Sequence, residues 1–227
     1  AVTSSYLGLN CRNYTHGMYQ SVYDYPFLSS SANHIFDITW GYRSQSDLSS
    51  SSNTQNAKKI QIYNSMALTL NGTDTTGSIK EFDRDGDPGG DKLREVVFIN
   101  FARLLTKNEI KKQSFSIALF TGSSVQAGYS GSAPVISDYG ALTAYKTEAA
   151  AGDFGILYTS SADVTSSDAG VGLLFYQAGV CVLTASIFNG NTGSYFGMPS
   201  YSQSTINDYL ASGSITGAAD WLRNRYG

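Results

Sequence analysis

The sequence predicts one α+β domain, predominantly antiparallel β-sheet with a few short helices and long loops. Three observations lead there. Short runs rich in β-branched and aromatic residues recur along the chain. Only one long stretch carries a sustained helical period, and Gly/Ser-rich segments separate the runs. No internal repeat is visible, which argues against a propeller or a solenoid.

In chain order, the aromatic-rich stretch 14–25 ends at Pro26, which pushes its neighbour towards extended geometry, so no long helix fits there. Residues 34–42 (HIFDITWGY) are dominated by β-formers and read as a strand. The following segment, 44–56, holds four consecutive serines and is expected to be an exposed, mobile loop, too polar to bury its backbone. From 57 to 70, Ile60, Tyr63, Met66, Ala67 and Leu70 recur at spacings of three and four, one face of a helix. The pair Asn71-Gly72 supplies a left-handed stop.

Residues 93–105 (LREVVFINFARLL) are apolar on both alternating faces, the pattern of a buried central strand. Thr106-Lys107-Asn108-Glu109 matches a capping box with room for about one helical turn. Phe115, Ile117 and Leu119 alternate with smaller residues, as in a strand with one wetter face. Residues 121–153 are rich in Gly, Ser and Ala and are expected to form a binding loop, an arm or a disordered connection. Strand character returns at 155–159. It returns again at 171–188, a pair of buried core strands bent at Ala178-Gly179 and too interrupted to be a membrane span. Residues 204–210 and 218–226 predict short terminal helices. The domain assignment is therefore 1–227 as one structural unit, with extended loops at about 44–56 and 121–153.

Composition narrows the function. Charged residues make up 15% of the 227, against about a quarter in ordinary soluble domains, so Ser, Thr, Asn, Gln and Gly must supply the polar surface. Sixteen tyrosines offer large contact area with few rotors, which suits protein or glycan contact. A net charge of −3 argues against general nucleic-acid binding. The local cations Lys107, Lys111, Lys112, Arg223 and Arg225 read as solvated faces. Two cysteines far apart, Cys11 and Cys181, the latter inside an apolar run, predict no disulfide and a reducing compartment. The first residues lack the basic region and apolar stretch of a signal peptide, so no entry to a secretory pathway by that route is expected.

Few residues present themselves for chemistry. In Asp83-Arg84-Asp85-Gly86-Asp87-Pro88-Gly89-Gly90-Asp91, alternate carboxylates can converge on a hard cation such as calcium. Counted from Asp83, however, the sixth and twelfth positions of a calcium loop fall on Pro88 and Arg94, where Gly and Glu are required. A surface turn is the expectation, with an irregular cation site as the alternative. The only histidines, His16 and His34, lie in no zinc or nucleophile-elbow spacing, and Cys11 with His16 lacks an orienting third group. The glycines at 86, 89 and 90 precede a strand, so they make no phosphate cradle. The expectation is a protein that is not an enzyme, with no catalytic, cofactor-binding or metal residues.

Two stretches, 59–116 and 155–188, covering under half the chain, resemble virion structural proteins of T4-like bacteriophages, especially those infecting marine cyanobacteria. The similarity rests on Ile62-Tyr63-Asn64-Ser65-Met66-Ala67, on Glu81-Phe82-Asp83-Arg84-Asp85-Gly86-Asp87, on Phe98-Ile99-Asn100-Phe101-Ala102-Arg103-Leu104-Leu105-Thr106-Lys107 and on Phe175-Tyr176-Gln177-Ala178-Gly179-Val180. The resemblance implies a virion building block without cofactor or catalytic residues; combined with the long segments 44–56 and 121–153, it leads to the expectation of a tail-associated subunit, at the neck or baseplate, assembled in the host cytoplasm. Its implied partners are other virion proteins and copies of itself in a symmetric array, with no membrane insertion. Similar proteins continue into a further β-rich portion, which leaves open a longer chain. Capsid decoration and a glycan-binding surface module are the alternatives.

Overall fold

Runs of β-branched and aromatic side chains build the central strands, and eight strands join one antiparallel sheet. The computed structural model describes residues 8–105, 108–118, 135–166, 169–188 and 213–216. In chain order the sheet contains β1 (Cys11–Asn13), β2 (Gln20–Tyr23) and β3 (His34–Tyr42). After helix α1 (Asn56–Leu70) and the small hairpin of β4 (Phe82–Asp83) and β5 (Lys92–Leu93) comes β6 (Glu95–Asn100). A second small hairpin pairs β7 (Ser116–Ala118) with β8 (Val135–Ser137). Then follow α2 (Ala141–Ala144), β9 (Lys146–Ala149), β10 (Gly152–Leu157), β11 (Gly172–Phe175) and β12 (Val180–Thr184). The strand order is β1-β2-β3-β6-β12-β11-β10-β9, every pair antiparallel. The mainly β, α+β class read from the sequence is the class observed.

The strands β6 and β12 sit side by side at the centre, paired from Val180↔Asn100 to Thr184↔Val96. Their central position explains the two-sided apolar pattern, because both faces of the sheet are covered. On one face Phe98 meets Phe82 of the β4–β5 hairpin with ring centroids 5.7 Å apart, and Phe82 meets Tyr63 of α1 at 5.5 Å. On the other, Phe36 meets Phe101 and Phe101 meets Phe115, both at 5.8 Å. Gly41 sets the closeness of α1 to β3. A Cβ there would stand 2.4 Å from the Lys59 carbonyl oxygen, so only glycine lets the helix backbone approach the strand.

Several expectations need correction. The helix is where its period placed it and stops at Gly72 (φ +80°), but its buried face is Lys59, Ile62, Tyr63, Ala67 and Leu70. Ile60 and Met66 are only partly buried. The long strand expected at 93–105 is divided: Leu93 belongs to β5, β6 ends at Asn100, and Ala102–Leu104 turn as a 3-10 helix. Asn100 causes the break locally, its Oδ1 accepting the Ala102 amide at 2.8 Å.

The expected arm at 121–153 is also revised, because 135–153 contains β8, α2, β9 and the start of β10. Asp138 organises that region. Its carboxylate, 1% exposed, accepts hydrogen bonds from the Gln113 amide (2.7 Å), the Phe115 amide (3.1 Å) and the Tyr176 hydroxyl (3.0 Å). The loop 44–56 is a chain of turns tied down by its own serines and asparagines: Ser46 is buried and donates to Glu95, and Asn53 Nδ2 donates to the Leu48 carbonyl. Its polarity thus satisfies the backbone that was expected to need water. Residues 121–134, Thr106 and Lys107 of the capping box, Leu119, and both terminal helices lie outside the described residues.

Candidate functional site

Two regions gather the polar side chains that the sequence singled out. The first is the β4–β5 hairpin. Phe82 and Leu93 pair across it and are buried, and this anchors the hairpin and pushes residues 84–91 outward as its loop. Asp83 pairs with Lys92, whose ammonium also donates to the Pro88 carbonyl at 2.8 Å. Asp85 Oδ1 accepts the Asp87 amide at 2.9 Å, and Asp87 pairs with Lys146 at 3.1 Å. Burial pushes the Asp83 carboxyl up against the pull of Lys92, and the neighbouring Asp85 adds to that rise. Asp83 and Asp85 thus lie side by side, with Asp83 Oδ1 buried and without a hydrogen-bond partner, while Asp87 turns away to Lys146, so the three do not converge on one point. Among the described residues no group of three or more His, Cys, Asp or Glu is placed to hold a metal.

Beside this hairpin lies a cleft of about 380 Å³ lined by Arg43, Glu81, Asp83, Lys92, Phe154 and Leu173 among others. Arg43 donates to Glu81 at 3.2 Å and to Asn64 at 2.8 Å, and Arg94 adds a second contact to Glu81 at 3.4 Å. These ion pairs tie the end of β3 to α1 and the hairpin. They leave Arg43, Glu81, Asp83 and Lys92 neutralised within the protein, which suits a brace better than a reaction centre. Calorimetric titration with calcium is expected to give no micromolar binding. Binding lost in both Asp83→Ala and Asp85→Ala would replace the turn with a metal site.

The second region lies on β1, β2 and β3, where the register aligns Arg12, Ser21, Asp37 and Asn100 in one row on the same face. His34 Nε2 lies 2.7 Å from Asp37 Oδ1, the same oxygen accepts from Ser21 Oγ, and Tyr14 Oη is 3.1 Å from Ser21 Oγ. Serine, histidine and aspartate are thus together, but in the wrong order for a nucleophile. Both Ser21 and His34 bond the carboxylate, so the imidazole does not take the serine proton. His34 Nδ1 is enclosed without a partner, out of reach of a substrate proton. The group acts as a clamp across β2 and β3.

The remaining candidates are kept apart. His16 is exposed at the β1–β2 turn, accepts the Met18 amide at 3.0 Å and stacks on Tyr14 at 5.2 Å. Cys11 is buried at the start of β1, and Cys181 lies in the core, where burial pushes its thiol far up; neither is in a disulfide. Lys112 is committed to Asp153 at 2.8 Å and lies over the Tyr145 ring at 4.5 Å, so it is no free cation for a phosphate. Lys107, Arg223 and Arg225 lie outside the described residues.

Two buried charges escaped the sequence reading, Asp138 and Lys59. The helical spacing of Lys59 to Ile62, Tyr63 and Leu70 carried the signal for Lys59, whereas nothing in the sequence around Asp138 distinguishes it from a turn aspartate. Large apolar side chains also stand open to solvent beside the edge strand β1: Leu9 is 71%, Tyr25 57% and Leu28 86% exposed. The Phe27 amide donates to the Leu9 carbonyl at 3.0 Å, which brings the two short segments together. No helix among the described residues is long and apolar enough to cross a membrane. Comparison with protein-family models, curated proteins and solved structures finds no match for the chain.

Proposed function

We propose that this chain is a structural subunit of a tailed-bacteriophage particle, tail-associated at the neck or baseplate end. In this reading it works through contacts with other virion proteins and with copies of itself, without catalysis or cofactor. The observation that carries the subunit reading is the exposed apolar group Leu9, Tyr25 and Leu28 beside an edge strand, the kind of surface that neighbours cover. The inward pairing of Arg43, Glu81, Asp83, Lys92 and His34 supports it, since these groups brace the fold and leave no matched acid and base facing solvent. The phage placement comes from the sequence resemblance at 59–116 and 155–188.

Imaging of particles carrying a labelled chain tests the placement. A few symmetric copies on the tail are expected. Density over the head lattice alone would replace the tail placement with capsid decoration, and labelled chain found only on host glycans would favour the glycan-binding alternative.

A further inference from the structure

Lys92 and Asp83 face each other across the β4–β5 hairpin, and Lys92 Nζ lies directly against Asp83 Oδ2. Both side chains are largely withdrawn from water, Asp83 at 13% and Lys92 at 22% exposure, and Phe154 and Leu173 line the same cleft. The second oxygen of Asp83, Oδ1, is enclosed without a hydrogen-bond partner. A carboxylate with one oxygen dry and unpaired is poorly solvated as an anion, and burial accordingly pushes the Asp83 carboxyl up. In these surroundings, moving one proton from Lys92 to Asp83 turns the ion pair into an amine beside a carboxylic acid and removes both charges. Those are the two reactants of an amide. Asp85 is in hydrogen-bonding contact with Asp83. Its Oδ1 accepts the Asp87 amide at 2.9 Å, a bond that holds its carboxyl below the usual range and keeps it a proton acceptor. Gly90 makes room for it, since a Cβ there would stand 3.0 Å from Asp85 Oδ1 and 3.1 Å from Oδ2. The Pro88 carbonyl accepts from Lys92 Nζ at 2.8 Å, which fixes the amine and leaves its lone pair for Asp83.

We propose that Lys92 and Asp83 join in an intramolecular isopeptide bond, with Asp85 carrying the proton. The neutral Lys92 Nζ attacks Asp83 Cγ and forms the C–N bond. Asp85 takes a proton from that nitrogen and passes it to the departing hydroxyl, the Cγ–O bond breaks, and one water leaves. The sum is amine plus carboxylic acid giving amide plus water. It needs no oxidant, no cofactor and no substrate, because each chain modifies itself once. Two groups held in contact have already lost the entropy of encounter, and the exclusion of water from the pair favours the amide over its hydrolysis. The product is a clasp. The hairpin has only two residue pairs, too few to be stable by themselves, and the bond ties its strands together beside the buried Phe82.

Intact-mass spectrometry of the purified full chain, followed by a tryptic map, tests this. The expected mass is one water below that of the sequence. In the map, trypsin does not cut after Lys92, and peptides 81–84 and 85–94 appear joined as one branched product. Lys92→Arg, which keeps the ion pair, and Asp85→Ala, which removes the proton carrier, are each expected at full mass. A wild-type chain at full mass overturns the proposal. So does a loss of water that survives Lys92→Arg, or one that hydroxylamine reverses by cleavage at Asp85-Gly86, which identifies a cyclic imide in the loop. Complete bond formation in Asp85→Ala strikes Asp85 from the reaction. The wild-type map decides by itself should a variant fail to fold, and its outcome is independent of where in a particle the chain sits.

Discussion

Replacing Phe82 by alanine is expected to destabilise the protein by about 3–5 kcal/mol, the range for truncating a buried phenylalanine. Phe82 is completely buried and joins α1, the β4–β5 hairpin and the sheet. Its ring meets Tyr63 at 5.5 Å, Phe98 at 5.7 Å and Phe175 at 6.2 Å, all edge-on. Alanine removes the transfer energy of the ring, leaves a cavity and breaks three aromatic contacts together. The hairpin has only two residue pairs, Phe82↔Leu93 and Asp83↔Lys92, so backbone pairing cannot hold it once the ring is gone. Chemical denaturation measures the loss. A change below 1 kcal/mol would mean that the hairpin is a surface appendage and that the ion pairs around Arg43 hold that side of the molecule.

Between pH 8 and pH 10 Lys59 is expected to add stability as the pH rises. Burial lowers its folded-state pKa from the usual 10.5 to about 8. Across that interval the unfolded chain still holds the proton that the folded chain has released. The unfolded state therefore binds more protons, and stability increases with pH. A shift of this size corresponds to roughly 3 kcal/mol over the full window. From about pH 9 the Cys181 thiol works in the opposite direction, because burial keeps it protonated in the folded chain while the unfolded chain loses that proton, and near pH 10 the tyrosines join it. Burial pushes the hydroxyls of Tyr63 and Tyr176 up, so the folded state keeps protons that the unfolded state loses near pH 10. Urea unfolding at pH 7, 8.5 and 9.5 on wild type and Lys59→Met checks this, since wild type should gain stability relative to the variant as the pH rises, while the thiol and tyrosine contributions are common to both. The same slope in both proteins would assign it elsewhere.

Local pattern made most of the sheet legible. The span 34–42 was readable because nine consecutive residues favour extended backbone, and α1 because its apolar spacing admits only one period. The two-sided apolar runs 93–105 and 171–188 predict buried strands, and the pairing of β6 with β12 within them forms the centre of the sheet. The candidate site was less legible. The calcium-loop register fails at Pro88 and Arg94 in the sequence itself, but the partners of Asp83 and Asp87 are Lys92 and Lys146, the latter more than fifty residues away from Asp87. Ser21, His34 and Asp37 are unremarkable in sequence and come together only through the β2–β3 register.

What the sequence determined by itself is therefore local: the β-rich class, the helix and its glycine stop, and the strands destined for the interior. These follow from backbone preference and from periodicities of two and 3.6 residues, which neighbouring residues encode. Only the tertiary structure decided where the buried charges go. The spacing of Lys59 puts it on the apolar face of α1, but its charge is accommodated there only because Gly41 lets the helix close on β3 and Gly213 arrives with a carbonyl. Asp138 looks like a turn residue until two amides and a tyrosine hydroxyl converge on it from residues at least 23 positions away. A buried polar group is stable only when its partners are supplied, and these partners are set by chain crossing, which no local pattern records.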